Sequence, residues 1–335
     1  MRVLMQARPG SGRILAGDAV QARATAAALR ELGVRVDLSE TDVLPDLAPY
    51  DLIHLFNLMP VEANRAAFEA ARDARKPIVL SPIFWDPRKF LERWDKAGYF
   101  LSWWEKTEAL RREVLGGVDL ILPNAMAELE CLRGAYGSLP RHHLVPNGVD
   151  ITLFQPRPKR AVEPHVLCVA RISARKNQLG LLEALRPTGL KVRIVGPVND
   201  FEYYRLCRAA AWPGVSFLPE VSGRALATMY NEAPVHALVS WYETPGLASL
   251  EAAACGCRVV STDEGSAREY LGDQAWYCRP DDADGIRRAV LAALQAQVPS
   301  RLAGRVREEY NWGQAARSTL AGYECALGKR GWTAG

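Results

Sequence analysis

The feature that most constrains this chain is a rhythm. Short apolar runs rich in β-branched residues (VRVDL, LIHLF, PIVLSPI, VDLILP, HHLVP and HVLCVA, then KVRIVG, VSFLP, VHALVSW, RVVST and AWYC) alternate with longer stretches of helical periodicity. A strand that is apolar along its length must be covered on both faces, so the alternation predicts an α/β chain of parallel sheets with helices on either side. With 335 residues, one core is not enough. The proline-rich, charged stretch LFQPRPKRAVEP, residues 153–164, interrupts the rhythm near the midpoint and is expected to link two Rossmann-like halves. We place these at 1–150 and 151–305. A helical segment, 306–335, is expected to pack back on the first half.

Charge and cysteine content remove several classes. Forty-two basic and 38 acidic residues leave a net charge of +4, too weak a signal for nucleic acid but compatible with an anionic ligand. The seven cysteines (131, 168, 207, 255, 257, 278 and 325) form no CxxC pair or metal-finger spacing, and several lie in strand-like runs. They are expected to be reduced and largely buried thiols of a cytoplasmic protein. MRVLMQARPGSG lacks the apolar length of a leader, and no run approaches the ~18–20 apolar residues of a membrane span, so any membrane contact is expected to be peripheral, at the inner face.

The first loop, RPGSGRILAGD, spaces its glycines as GxGxxxxG, and no clean acidic residue follows some 20 positions on, which disfavours a nicotinamide dehydrogenase. What remains is a helix entered through Gly17 with Asp18 in a capping position.

The second half holds a more specific constellation in ETPGLASLEAAACG, residues 243–256. A strand ends before Glu243; Thr244 reads as an N-cap, Pro245 as the first helical residue and Gly256 as the terminator. The N–H groups of Gly246, Leu247 and Ala248 would then open a helix that favours a diphosphate, with small side chains admitting it. Glu251 lies two turns on, where a carboxylate can accept hydrogen bonds from a ribose diol. Glu243 stands before the helix, where a transferred sugar would lie. Either glutamate alone reads better as a solvated residue. The companion stretch VARISARKNQ changes that balance: Arg171 ends a strand and Lys176 starts the next helix, with no acidic neighbour in the stretch to neutralise them. Arg175 and Lys176 also read as a solvated basic pair, although cations at a helix start oppose its dipole unless an anion sits there.

These residues carry a resemblance. Residues 165–290 resemble the C-terminal domain of glycosyltransferase family 4, the retaining group of the GT-B fold (glycosyl transferases group 1). ARISARKN is similar to the family's G-R-L-x-x-x-K-G/N motif, and ETPGLASLEAAACGCRVVSTDEG to its E-x7-E motif. VPNGVD (145–150) resembles the hinge signature, and AGDAVQARATAAALRELGVRVDL the first helix. The resemblance implies two Rossmann-like domains facing each other across a cleft, with the acceptor side first and the donor domain second. By it, Arg171 and Lys176 hold the donor diphosphate, Glu251 the ribose, and Glu243 with the backbone of 246–248 the donor sugar and phosphates. The base would lie near Gly196 and the LPEV turn ending at Val221, and Gly17 would admit the donor from the first loop. The implied enzyme is a retaining, metal-independent hexosyltransferase that needs no cofactor and uses a nucleoside-diphosphate sugar. Its acceptor would be a glycan or lipid-linked glycan of cell-surface polysaccharide synthesis.

Departures are visible: Ala16-Gly17 stands for Gly-Gly, Ala170 for a glycine, Thr244-Pro245 for Gly-Phe. After the fourth strand VLSPIFWDP has no histidine where many members have one, leaving Trp85 or Asp86 to occupy that space. On the acceptor side the strand-end and helix candidates are Asp18, Gln21, His54 and Asn57. For His54 a structural role and a catalytic one both stay open. Residues 84–104 mix eight aromatics with Arg88, Lys89, Arg93 and Lys96, which suits a carbohydrate platform or a membrane surface. Asp282-Ala283-Asp284 reads as a helix cap rather than a metal clamp. The rival readings are a sugar-nucleotide epimerase of the same fold, a phosphorylase-like pyridoxal enzyme and a non-catalytic nucleotide-sugar binder.

Overall fold

A computed structural model describes residues 1–10, 17–157, 163–297 and 301–329. It divides into two compact units, Met1–Gly148 with Trp312–Gly335, and Val149–Asn311. The first contains β1 (Arg2–Gln6), α1 (Gly17–Glu31), β2 (Arg35–Ser39), β3 (Leu52–Phe56), α2 (Glu62–Asp73), β4 (Ile78–Ser81), α3 (Arg88–Trp94), α4 (Tyr99–Lys106), α5 (Glu108–Gly117), β5 (Leu120–Ile121) and α6 (Met126–Tyr136). Its strands are parallel in the order β2-β1-β3-β4-β5. Because LIHLF is buried at every position, both faces of the sheet need cover. Leu4, Ile53, Leu55 and Leu80 meet Phe68, Val114 and Leu129 on one face. Val3, Met5, Leu52 and Phe56 meet Ala22, Ala26 and Leu29 on the other.

The second unit contains β6 (His165–Val169), α7 (Gln178–Leu185), β7 (Lys191–Val195), α8 (Phe201–Ala210), β8 (Val215–Leu218), α9 (Gly223–Glu232) and β9 (Val235–Leu238), then α10 (Leu247–Ala254), β10 (Arg258–Thr262), α11 (Ala267–Leu271), β11 (Trp276–Cys278), α12 (Ala283–Gln295) and α13 (Leu302–Glu309). Its sheet is parallel, in the order β11-β10-β9-β6-β7-β8. The last helix, α14 (Trp312–Ala326), belongs to the first unit, where Ala316 and Tyr323 join the core beside α1.

In both sheets the strand order reverses once, between β1 and β3 and between β6 and β9. At such a point neighbouring connections run in opposite directions and leave a crevice beyond the carboxyl ends of the strands, the place where open α/β sheets receive ligands.

Three local expectations are corrected. HHLVP forms no strand: His142 makes one isolated bridge to Ile121, and Pro140 and Pro146, without N–H donors, bracket the segment. Residues 153–157 are no free connector, since Phe154 is buried, its ring 5.9 Å from that of Tyr230, and Asn231 bonds the backbone of Arg157 and Gln155. Helix α10 starts at Leu247, not Pro245, because Gly246 has φ +84°, a left-handed conformation that cannot continue into the helix.

Other local signals hold. Gly256 follows the C-cap of α10 with φ +84°. Asp282 caps α12, its Oδ1 accepting from Gly285 N–H at 2.8 Å. All seven cysteines are free thiols, five of them buried. No helix among the described residues is long and apolar enough to cross a membrane.

Candidate functional site

The turn after β6 and the turn after β9 meet at the reversal point of the second sheet. After β6 the chain passes Arg171 and makes a 3-10 turn, Ala174–Lys176. Asn177 follows with φ +56°, a left-handed position that asparagine tolerates better than other side-chain-bearing residues. Its amide donates to Val239 O at 3.0 Å and Pro280 O at 2.8 Å, tying the turn to β9 and to the stretch before α12. Lys176 therefore ends a clamped turn instead of starting a free helix.

That turn delivers Lys176 Nζ to Glu243 Oε1, 67 residues away in sequence. The expected pair of un-neutralised cations is thus corrected: Lys176 has a carboxylate partner, supplied from the turn after β9. Its side chain is 13% exposed, that of Glu243 only 3%. Burial opposes both charges. For Glu243 the attraction of Lys176 and Arg175 outweighs burial and holds the carboxyl below its usual range. For Lys176 burial dominates and lowers the pKa, with Arg175 and Arg171 pushing the same way and Glu243 opposing. Lys176 and Arg175 thus both act on the Glu243 carboxylate, and Arg171 acts on Lys176. Arg175 was weighed in sequence only as a solvated neighbour, and no local pattern singled it out.

Glu243 is fixed by its backbone: its N–H donates to Glu264 O at 3.2 Å, and its carbonyl accepts from Ser266 N–H at 2.8 Å. Its Oε2 lies beneath Gly246, where an added Cβ would come within 3.1 Å of it. The carboxylate is accordingly a buried partner of Lys176, not the open sugar-facing group read from the sequence. Above it α10 begins. Ser249 and Leu250 N–H already bond Gly246 O, while the N–H groups of Gly246, Leu247 and Ala248 find no acceptor among the described residues. The Lys176–Glu243 pair therefore lies at the positive end of a helix whose first three donors find no acceptor among the described residues.

On the second turn of α10, Glu251 is partly exposed and its Oε2 accepts from Tyr230 OH at 3.1 Å. Burial raises its pKa to about 7; the Tyr230 bond opposes that rise and Asp150 adds to it. Gly196 ends β7 with φ +147°, and a Cβ there would lie 2.2 Å from Ala170 O, so glycine is required where this loop crosses the one leading to Arg171. Val221, half-buried, precedes the Ser222 cap of α9.

The first unit places Gly17 as the first residue of α1; residues 11–16, with Gly12 and Ala16, lie outside the described residues. At the β1/β3 reversal Asp18 Oδ2 accepts from Asn57 Nδ2 at 2.8 Å and lies 3.8 Å from Arg8 Nε. Gln21 bridges Asn124 (3.1 Å) and Asn147 (3.2 Å). Asp18, Gln21 and Asn57 are thus brought together. His54 is not: it is 1% exposed, between Tyr323 OH (2.7 Å) and Ser81 Oγ (2.9 Å), and burial lowers its pKa to about 3. Burial thus keeps the ring neutral between two hydroxyls. Trp85 is buried, its ring 5.8 Å from that of Phe90, and Asp86 pairs with Arg88 at 2.5 Å.

Comparison with known proteins adds an independent line. The model of the family described as Glycosyl transferases group 1 matches residues 150–318, slightly more than half of the chain. A D-inositol 3-phosphate glycosyltransferase of Paenarthrobacter aurescens is 29% identical over 255 residues, 67% of this chain and 62% of that protein. An MMP alpha-(1->4)-mannosyltransferase of Mycolicibacterium hassiacum is 24% identical over 262 residues, 71% of this chain and 61% of the relative. The matched region thus spans about three-fifths of these relatives' own length. Among solved structures, a sucrose-phosphate synthase from Thermosynechococcus elongatus aligns with a TM-score of 0.83 at 18% identity, covering 98% of this chain and all of that one. Anabaena HepE in complex with UDP-glucose aligns at 0.74 and 18%, covering 96% and 99%.

Proposed function

Since this chain belongs to the glycosyl transferases group 1 family, with the GT-B fold, we propose that it is a metal-independent, retaining transferase that moves a sugar from a nucleoside diphosphate to an acceptor hydroxyl. The observation that carries the reading is the meeting, at the β6/β9 reversal, of Lys176, held by Glu243 beneath Gly246, with the opening N–H groups of α10. In such a transfer the bond from the sugar's anomeric carbon to the phosphate oxygen breaks, the acceptor oxygen bonds that carbon, and the hydroxyl proton is lost. Negative charge grows on the departing diphosphate. Cations and helix donors fixed around it stabilise that charge without reorganising, which is the largest contribution a protein makes to such a step. Lys176 and the backbone of 246–248 are assigned to the diphosphate, Glu251 to the ribose, and Gly196 and Val221 to the neighbourhood of the base. Glu243 acts through Lys176, holding the ammonium at the phosphate rather than touching the sugar. HepE, aligned here by fold, is a protein crystallised with UDP-glucose, which supports a donor of that class.

For the acceptor, Asp18, Gln21 and Asn57 form a cluster of hydrogen-bonding groups suited to sugar hydroxyls, with Trp85 and Asp86 beside the fourth strand. Tyr99 and Phe100 on α4, 74% and 59% exposed, support a glycan or lipid-linked glycan of the cell surface, met by a cytoplasmic enzyme at the membrane's inner face. The test is a thermal-shift screen of UDP, GDP and ADP and their sugar conjugates: the matching donor raises the melting temperature by linkage, and transfer to an acceptor is then followed with that donor, with and without EDTA. A donor that binds and releases only an altered free sugar would turn the reading to an epimerase. Binding without turnover would leave a nucleotide-sugar binder.

A further inference from the structure

Glu251 has a fixed companion. Tyr230, on α9, is 1% exposed, and its ring meets Phe154 at 5.9 Å and 68° and His236 at 5.7 Å and 81°. Its carbonyl accepts from Cys257 Sγ at 2.8 Å, and the next residue, Asn231, is held through its side chain to Arg157 N, Gln155 O and Ala227 O. None of this packing uses the hydroxyl, and a phenylalanine would fill the same space. The hydroxyl makes one hydrogen bond among the described residues, to Glu251 Oε2. Among the described residues Glu251 Oε1 has no hydrogen-bond donor, and the residue is partly exposed.

A free carboxylate on a helix turns about its last bond. One with an oxygen held by a rigid buried phenol does not. We infer that Tyr230 is a positioning residue of the donor site: by holding Oε2 it fixes the plane of the Glu251 carboxylate and presents Oε1, with the second lone pair of Oε2, to the vicinal diol of a ribose.

This rests on the reading of Glu251 as the ribose contact. The charges around Glu251 act in the same direction. Burial disfavours its ionised form, the Tyr230 bond opposes that, and Asp150 adds a smaller repulsion. Behind Tyr230, His236 is held neutral by burial, its pKa lowered to about 4, and Tyr230 itself is pushed well above its usual range. The phenol is therefore a donor only, and losing it leaves Glu251 both less oriented and less ionised.

The test pairs Tyr230→Phe with two probes: whichever of UDP, GDP and ADP most raises the melting temperature, and its 2′,3′-dideoxy counterpart, both titrated by calorimetry at pH 8. A hydrogen bond to a charged group predicts that the wild type prefers the ribose form by about 10-fold or more. Tyr230→Phe should lose at least about 3-fold of that preference, with affinity for the dideoxy form unchanged within about 2-fold. In a Glu251→Gln background Tyr230→Phe should change nothing further. If the wild type shows no preference, the ribose role of Glu251 fails and the inference with it. If the wild type discriminates and Tyr230→Phe discriminates equally, or weakens both probes alike, Glu251 keeps its role and the positioning inference is overturned. Unliganded melting temperatures of all variants identify any loss that is merely of packing.

Discussion

The two sheets reverse strand order in the same way and place different chemistry at the reversal. At β6/β9 in the second unit, the side chains are charged: Lys176 pairs with the buried Glu243 carboxylate within the field of Arg175 and Arg171, below a helix whose first donors find no acceptor among the described residues. At β1/β3 in the first unit, the groups are mostly neutral and already paired: Asn57 with Asp18, and Gln21 with Asn124 and Asn147. One crevice gathers charge at the start of a helix; the other joins buried amides to one another. Architecture supplies the place, and the residues at the strand ends decide what goes there.

The sharpest way to break this contrast is at Lys176. Lys176→Ala is expected to lower turnover by ~100-fold or more, as loss of a leaving-group stabiliser should. It also strands Glu243, whose side chain is 3% exposed, at a cost of about 3 kcal/mol by melting. The Lys176→Met/Glu243→Gln double variant should recover most of that stability and none of the turnover, read from unfolding curves beside initial rates. Recovery of turnover would remove Lys176 from the site.

A smaller effect is expected at Glu251. Its carboxyl, raised to about 7, is protonated in the folded chain at pH values where the unfolded chain has released the proton. The stability it contributes is therefore full below the ordinary glutamate range and is lost as pH rises through 7. Glu251→Gln should gain in melting temperature relative to wild type between pH 5 and pH 8. Wild-type affinity for the nucleoside diphosphate should fall below pH 7, by up to about 10-fold per pH unit, and the variant should lack that dependence. Parallel profiles would detach Glu251 from the ligand.

The smallest effect belongs to the first unit. Asn57→Ala removes the bonds to Asp18 and to Met59 N–H and leaves alanine at φ +72°, so a loss of about 1–2 kcal/mol is expected, with nucleoside-diphosphate affinity unchanged. A change in that affinity would mean the two crevices are not chemically separate.

Features set by neighbouring residues were legible from sequence. The β-branched runs found nearly every strand, Gly256 marked the end of α10, and Asp282 marked the start of α12, because alternation, left-handed turns and caps are properties of a few consecutive residues. The family motifs directed attention to Lys176, Glu243 and Glu251. What was missed is non-local. That Lys176 pairs with Glu243, that Tyr230 holds Glu251 and that His54 is sealed beside Tyr323 all depend on which segments the sheets bring together. The late start of α10 escaped because Thr-Pro is a good helix opening in isolation, and the left-handed backbone of Gly246 displaces it.

The central claim, that the crevice at β6/β9 is built for a diphosphate, is tested most directly by calorimetric titration of one nucleoside as its diphosphate, its monophosphate and the free nucleoside. The account predicts that affinity rises with each phosphate, by about 10-fold or more per step, and that the Lys176→Met/Glu243→Gln variant flattens the series. Equal binding of nucleoside and diphosphate, or a series that survives in the variant, would contradict it.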